Sequence, residues 1–191
     1  MSSDNLLLAL VVLLPGRAEL EALRSEHDHA WPRWPEHVTL LHPLPASAIA
    51  GLEAVAAVAA ASADATVSVS QSLVFDSIGS FVVNKATASN PGRVSFHLCA
   101  DAASDAILQD WYKTFVDQAH RSKRRPFVPH LTIAQCECAD APAMLQELEA
   151  WLAKHGPFVW ESINCLSVLE RPLSAPAQPF IQRFSIPLGV K

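Results

Sequence analysis

The chain has 191 residues, of which 50% are hydrophobic and 17% are charged, and its formal net charge is −5. This composition is typical of a folded globular protein and excludes a disordered one. The net negative charge also excludes a protein that coats nucleic acids, because gripping many phosphates requires a basic surface. We therefore expect no stable nucleic-acid complex, although a small anionic ligand in a locally positive cleft is compatible with this charge.

The chain opens with an unbroken apolar run over residues 6–14. The residues before it include Asp4 and no Lys or Arg, and no small-residue cleavage pattern follows it. The run is also too short to span a bilayer as a helix. We therefore predict a buried strand that ends at Pro15-Gly16, in a cytoplasmic protein without membrane contacts, with a nuclear location left open.

The first half of the chain alternates strand and helix patterns and ends in two strands. Hydrophobic spacing predicts a strand over 5–14, a helix over 17–29, a strand over 37–41, a helix over 46–61 and strands over 66–75 and 81–88. Val and Ser alternate from residue 67 to residue 70, which is typical of a half-buried strand. We predict a turn over 77–80 between the last two strands.

The second half repeats this order after the chain breaker Asn90-Pro91-Gly92. The predicted elements are strands over 93–99 and 127–136, helices over 103–120 and 142–154, and strands over 158–169 and 180–188. The duplication predicts one α+β domain with a two-lobed, pseudo-symmetric fold. Each lobe is expected to be an antiparallel sheet with helices on its outer face, and we expect the active-site groove to lie between the lobes. The lobes span approximately 1–90 and 91–191, with exchange of strands between them left open.

Each half carries the same four-residue pattern on its third element. The two copies are His37-Val38-Thr39-Leu40 and His130-Leu131-Thr132-Ile133. Side chains two residues apart on a strand share a face, so each strand presents an imidazole and a hydroxyl on one surface and buries its aliphatic residues behind.

These residue types fit in-line displacement at a phosphodiester, which needs a base on the attacking oxygen and an acid on the leaving oxygen. The unperturbed pKa of imidazole is about 6.5, so one histidine can be neutral while the other is protonated. We predict that His37 and His130 are catalytic and that Thr39 and Thr132 hydrogen-bond the phosphate oxygens. This arrangement requires neither a metal nor another cofactor.

Other candidates carry weaker signals. A third His-x-Ser/Thr match at His120 lies at a polar helix end and lacks aliphatic neighbours. Cys136 and Cys138 suggest a metal site, but nothing nearby completes a zinc-binding spacing, so we favour reduced thiols. The remaining histidines are interpreted as surface or structural residues: His27, His29, His42, His97 and His155.

The two motifs resemble those of the two-histidine (2H) phosphoesterase superfamily, which includes bacterial 2′-5′ RNA ligase-like proteins and cyclic nucleotide phosphodiesterases. The motifs read Trp34-Pro35-Glu36-His37-Val38-Thr39-Leu40-Leu41-His42-Pro43-Leu44 and Phe127-Val128-Pro129-His130-Leu131-Thr132-Ile133-Ala134. The resemblance covers essentially the whole chain, with two departures. Glu36 intervenes between Pro35 and His37, which could change the pKa or orientation of that histidine. Gln135 stands where relatives often have Arg, which removes a candidate phosphate-binding cation.

The resemblance implies hydrolysis of 2′,3′-cyclic phosphates on nucleotides or RNA ends, and it leaves open which histidine is the acid. One alternative is 2′-5′ RNA ligation or cleavage of 2′-5′ or 3′-5′ oligonucleotides at the same site. A second alternative is a non-catalytic nucleotide-binding module, although pure binding needs no acid-base pair.

Additional substrate contacts are predicted beside the motifs, in a protein expected to be a monomer. Trp34 could stack on a base, or pack its loop against the lobe. Arg124 and Arg125 belong to a basic run that also contains Arg121 and Lys123. This run could contact phosphate, or it could be the solvated end of a helix.

Overall fold

The computed structural model describes residues 6–61, 71–118 and 126–188, which form eight strands and four helices. In chain order these are β1 (Leu6–Leu13), α1 (Ala18–His27), β2 (His37–Leu41), α2 (Ile49–Ala61), β3 (Gln71–Asn84), β4 (Arg93–Ala100), α3 (Ala102–Gln118), β5 (His130–Glu137), α4 (Ala141–His155), β6 (Phe158–Ile163), β7 (Cys165–Pro172) and β8 (Ile181–Pro187). A short 3-10 turn, Ala46–Ala48, leads into α2.

The strands form two antiparallel four-stranded sheets with matching layouts. The first sheet has the order β2-β1-β7-β8, and the second has the order β5-β4-β3-β6. Each His-x-Thr strand is therefore an edge strand beside the strand that opens its own half of the chain. The predicted two-lobed α+β fold is confirmed.

Each sheet takes strands from both halves of the sequence. The first sheet combines β1 and β2 with β7 and β8, whereas β3 joins the second sheet. Strand exchange, which the sequence left open, is thus a feature of the fold. A division near residue 90 follows the repeat of elements and does not follow the sheets.

Two of the predicted strand boundaries were wrong. The expected turn over 77–80 lies inside β3, which is one long strand with an irregular register between Phe75 and Ser77. The expected strand over 158–169 is divided into β6 and β7 around Asn164, close to Ser162, whose φ is 62°. Residues 66–70 of another predicted strand lie outside the described residues.

The apolar run at the start of the chain is a central strand that is buried on both faces. Leu8, Leu10 and Val12 of β1 belong to the main core, whereas Ala9 and Val11 pack in a second, smaller cluster. A strand covered on both sides has no polar face, which explains why this run shows no alternation.

The helices connect the two halves of the molecule. Helix α1 of the first half packs on β5 of the second sheet, and α3 of the second half packs on β2 as well as on β3 and β4. Strands β2 and β5 also contact each other directly. This cross-covering brings the two motif strands together. Among the described residues, no helix combines the length and hydrophobicity needed to cross a membrane.

Candidate active site

The two motif strands show the alternation that the sequence predicts. Val38 and Leu131 are almost completely buried, whereas the His and Thr on either side of each are partly exposed. His37 and Thr39 lie opposite Leu13 and Val11 of β1, and His130 and Thr132 lie opposite Cys99 and His97 of β4. Each strand therefore presents its imidazole and hydroxyl on one face.

Both motif strands contain a β-bulge directly after the threonine. In β2, Thr39 pairs with Val11 but the next pair is Leu41 with Leu10, so Leu40 is the additional residue. In β5 the register skips Ile133 in the same way. A bulge shifts the alternation by one residue, so Leu41 turns into the core and the following His42 is exposed.

The Nδ1 atom of each motif histidine is fixed by a backbone carbonyl two residues earlier. His37 Nδ1 lies 2.7 Å from the Pro35 oxygen, and His130 Nδ1 lies 2.7 Å from the Val128 oxygen. Because a carbonyl oxygen can only accept, both Nδ1 atoms carry the proton and Nε2 is the atom left for acid-base chemistry. In the neutral His37 ring, Nε2 accepts a hydrogen bond from the Thr39 hydroxyl at 2.9 Å.

Burial lowers the pKa of both motif histidines. The pKa of His37 falls to about 4, opposed by the hydrogen bond to Pro35 and lowered further by the charges of Arg24, His130 and His42. The pKa of His130 is also lowered by burial, and its hydrogen bond to Val128 acts in the opposite direction. Without a bound anion, neither site favours a protonated imidazole at neutral pH.

A third imidazole, which the sequence interpretation placed among surface or structural residues, lies within this site. His97 of β4 is 2% exposed, and its ring centroid lies 5.1 Å from that of His130. Its ring stacks on Phe81 at 4.3 Å, and its Nδ1 is buried without a hydrogen-bond partner in the described structure. Burial lowers the pKa of His97 to about 4, so this ring is neutral near pH 7. The sequence signal was weak, because His97 is simply the polar residue between two core positions of a strand.

Gly79 leaves the space that His97 occupies. The two residues face each other across β3 and β4. A Cβ atom at position 79 would lie 2.5 Å from Nε2 of His97 and 2.7 Å from Sγ of Cys99. Any larger residue at this position would therefore displace the histidine.

Trp34 packs on the first motif histidine. Its ring stacks on His37 at a centroid distance of 4.7 Å and on Phe180 at 3.8 Å. Its backbone carbonyl accepts a hydrogen bond from Arg24 Nη2 at 3.0 Å, which fixes the loop. Two protein rings already use this indole for stacking, so the contact with substrate stays a prediction. Arg124 and Arg125 lie outside the described residues.

Glu36, the additional residue of the first motif, points away from the histidine face. Its side chain is 4% exposed, and Oε1 accepts a 3.4 Å hydrogen bond from the backbone N–H of Arg17. Burial raises the pKa of the Glu36 carboxyl to about 7. This carboxyl therefore contacts the residue that precedes α1. No hydrogen bond links it to either motif hydroxyl in the described structure.

Cys136 and Cys138 are both free thiols. Within the described residues, no group of three or more His, Cys, Asp or Glu side chains is arranged to hold a metal ion.

The family relationship follows from the sequence as a whole. The model of the 2′-5′ RNA ligase superfamily matches residues 14–170, which include both motif strands. The chain belongs to the 2′-5′ RNA ligase superfamily. Its resemblance to the two-histidine phosphoesterases is thereby confirmed. Comparison with curated proteins gave no significant sequence match.

Solved structures with the same fold share little sequence identity with this chain. Escherichia coli LigT complexed with 3′-AMP has a TM-score of 0.58 and 15% identity, covering 96% of this chain and 98% of LigT. A structure described as a phosphoesterase has a TM-score of 0.55 and 14% identity, covering 96% and 99%. Usb1 from Kluyveromyces marxianus has a TM-score of 0.52 and 12% identity, covering 98% and 100%. The agreement extends over nearly the full length of each chain.

Proposed function

We propose that this 2′-5′ RNA ligase superfamily member is a metal-independent phosphodiesterase that hydrolyses 2′,3′-cyclic phosphates of nucleotides or RNA ends. The observation that carries the proposal is the matched pair of motif strands. In each strand a carbonyl fixes the histidine proton on Nδ1, so that Nε2 is the atom that can exchange a proton with a ligand; in His37 this atom also accepts from the Thr39 hydroxyl. The presence of a threonine on the same face of each strand supports phosphate as that ligand.

In the proposed reaction, a water molecule attacks phosphorus, and the bond from phosphorus to one ribose oxygen breaks to give a nucleoside monophosphate. We assign His37 as the base, because burial lowers its pKa to about 4 and because the Thr39 hydroxyl already donates to its Nε2, which marks this atom as an acceptor for the proton of the water. His130 then donates a proton from Nε2 to the leaving ribose oxygen. The negative charge of the bound phosphate raises the pKa of His130, which takes up a proton from solvent before the reaction. Thr39 and Thr132 hydrogen-bond the non-bridging oxygens.

The superfamily name favours a second activity at the same site. If a ribose hydroxyl took the place of water, the same base and acid would join RNA ends through a 2′-5′ bond or cleave such a bond. The assay should therefore include 2′-5′ oligoadenylate and RNA ending in a cyclic phosphate, with identification of the products. We expect turnover of the cyclic phosphates, by a monomeric cytoplasmic enzyme.

Replacement of either motif histidine is the direct test. We expect His37→Ala and His130→Ala each to reduce kcat for 2′,3′-cyclic AMP by at least about 100-fold, because general acid-base catalysis contributes this much. Incubation with EDTA should leave the wild-type rate unchanged. With bis(4-nitrophenyl) phosphate, whose leaving group needs no acid, His130→Ala should recover activity and His37→Ala should not.

The matched control is His29→Ala, which removes an exposed histidine outside the motifs and should retain the wild-type rate. Full turnover by both motif variants would disprove the site assignment. Loss of turnover in EDTA would instead require a metal. If only His37→Ala recovered activity towards bis(4-nitrophenyl) phosphate, His37 would be the acid and His130 the base.

A further inference from the structure

Arg171 of β7 has unused hydrogen-bond donors in the described structure. Its guanidinium lies over the ring of Phe180, with 4.6 Å between Cζ and the ring centroid. Nε and Nη1 are buried without an acceptor, and within the described part of the chain no carboxylate forms an ion pair with this residue. By contrast, Arg183 on the neighbouring β8 pairs with both Glu53 and Glu170. An arginine with free donors is suited to an anionic ligand.

Arg171 projects from the same face of the first sheet as the motif residues. It lies opposite Leu7 of β1, and Thr39 lies opposite Val11 of the same strand. Positions separated by two residues along a strand share a face, so positions 7, 9, 11 and 13 of β1 point the same way. Leu7 and Phe180 also belong to the same apolar cluster, which confirms this orientation.

Arg171 and His37 lie at the two ends of a row of stacked rings. Their backbones are well separated, since their partners on β1, Leu7 and Leu13, are six positions apart in the register, but the ring contacts bring the guanidinium to within about 13 Å of the His37 ring. The space between is bridged by stacked rings: His37 to Trp34 at 4.7 Å, Trp34 to Phe180 at 3.8 Å, and Phe180 to the guanidinium at 4.6 Å. A ligand that contacts both His37 and Arg171 must therefore extend along this row of rings.

We propose that Arg171 is an anion subsite that binds a second phosphate of the substrate, next to the ring of Phe180. This inference rests on the proposed function and specifies its substrate class. The substrate carries one phosphate at the histidines and another one further along, as a 5′-phosphorylated nucleotide or an oligonucleotide does. A nucleoside 2′,3′-cyclic monophosphate without a 5′-phosphate would occupy only part of the site.

Equilibrium binding of two nucleotides tests the subsite without depending on turnover. Adenosine 3′,5′-bisphosphate and 3′-AMP differ only in the second phosphate, and isothermal titration calorimetry gives both dissociation constants. We expect the wild type to bind the bisphosphate at least about tenfold more tightly, since hydrogen bonds to charged groups are strong. Arg171→Gln should remove this advantage and change 3′-AMP binding much less, and Arg171→Lys should retain part of it.

Arg183→Gln is the matched control, because it removes the same charge from the adjacent strand, and it should keep the full advantage. Melting temperatures of all variants verify that they are folded. Equal binding of both nucleotides by the wild type, equal weakening of both by Arg171→Gln, or no binding of either nucleotide would overturn the subsite. An enzyme that fails to turn over cyclic phosphates but prefers the bisphosphate through Arg171 would contradict the proposed hydrolysis and retain the subsite.

Kinetics with two larger substrates then identify the source of the second phosphate. A 5′-phosphorylated adenosine 2′,3′-cyclic phosphate and a dinucleotide with the same cyclic end place their additional phosphate differently. The substrate whose KM rises more in Arg171→Gln carries the group that the arginine binds. A KM that rises for neither substrate would count against the subsite.

Discussion

The carbonyl oxygens of Pro35 and Val128 determine which nitrogen of each motif histidine can react. Both accept a hydrogen bond from Nδ1, and this contact favours the protonated ring. Burial acts in the opposite direction and is the larger effect on His37 and on His130. Neither motif imidazole of the free site is therefore protonated at neutral pH. The histidine that acts as the acid takes up its proton only when a negatively charged ligand raises its pKa.

The lowered pKa values of the two motif histidines predict different pH optima for kcat/KM and kcat. A base and an acid of this kind give a bell-shaped profile, and kcat/KM reports the free enzyme. Because both imidazole pKa values are lowered, to about 4 for His37, we expect the kcat/KM optimum below pH 6.5. The kcat optimum should lie at higher pH, since bound phosphate raises the pKa of the acid. Steady-state rates between pH 4 and 8.5 measure both, and a kcat/KM optimum above pH 7.5 would contradict the predicted order.

Among the strands, β3 shows most clearly what sequence patterns can and cannot predict. Hydrophobic spacing predicted the helices and the two motif strands, because their periodicity is local and their buried faces are regular. Ser77, Gly79 and Ser80 suggested a turn, since these residue types favour turns. The glycine is instead required by His97, which is distant in sequence and adjacent only in the sheet. His97 was not identified as a site residue for the same reason.

Gly79→Ala should therefore disturb the active site through β3. The new methyl group would overlap His97, and we expect kcat for the cyclic phosphate to fall by at least about tenfold as that ring moves against His130. Ser80→Ala, at an exposed neighbouring position, is the control and should have no effect. In the double variant Gly79→Ala/His97→Ala, the overlap with the imidazole is gone and only the overlap with Cys99 Sγ remains, so the two effects should not add fully. Additive losses in kcat would show that the glycine acts independently of His97.

For the molecule as a whole, buried titratable groups give a stability that depends on pH in two directions. His37 and His97 have lower pKa values in the folded protein, so acid protonates the unfolded chain first. Their contribution is complete above pH 6.5 and is lost as the pH falls towards 4. Glu36 has a raised pKa, so its contribution is present below about pH 4.5 and is lost as the pH rises through 7.

We expect the free energy of unfolding to fall between pH 6.5 and pH 4 in urea titrations. Removing the charge change of His97 with His97→Gln should reduce this fall by roughly 3 kcal/mol, since one pKa unit corresponds to about 1.4 kcal/mol. Glu36→Gln should have the opposite effect and make the fall steeper, because the compensating carboxyl is gone. His29→Gln, at an exposed position, serves as the reference. An unchanged slope in His97→Gln would show that this ring does not limit acid stability.

The pairing of His97 with Thr132 has no counterpart in the first sheet, where Val11 lies opposite Thr39. The two motif strands, although built alike, therefore have chemically different surroundings, which form the two walls of the site. One wall continues along aromatic rings to a guanidinium, and the other places a second imidazole beside the first. A cleft with two identical walls would accept an RNA strand in either orientation. For the phosphodiester substrate proposed above, we expect the two walls to contact opposite sides of the phosphate, so that the departure from internal symmetry sets the direction in which the chain binds.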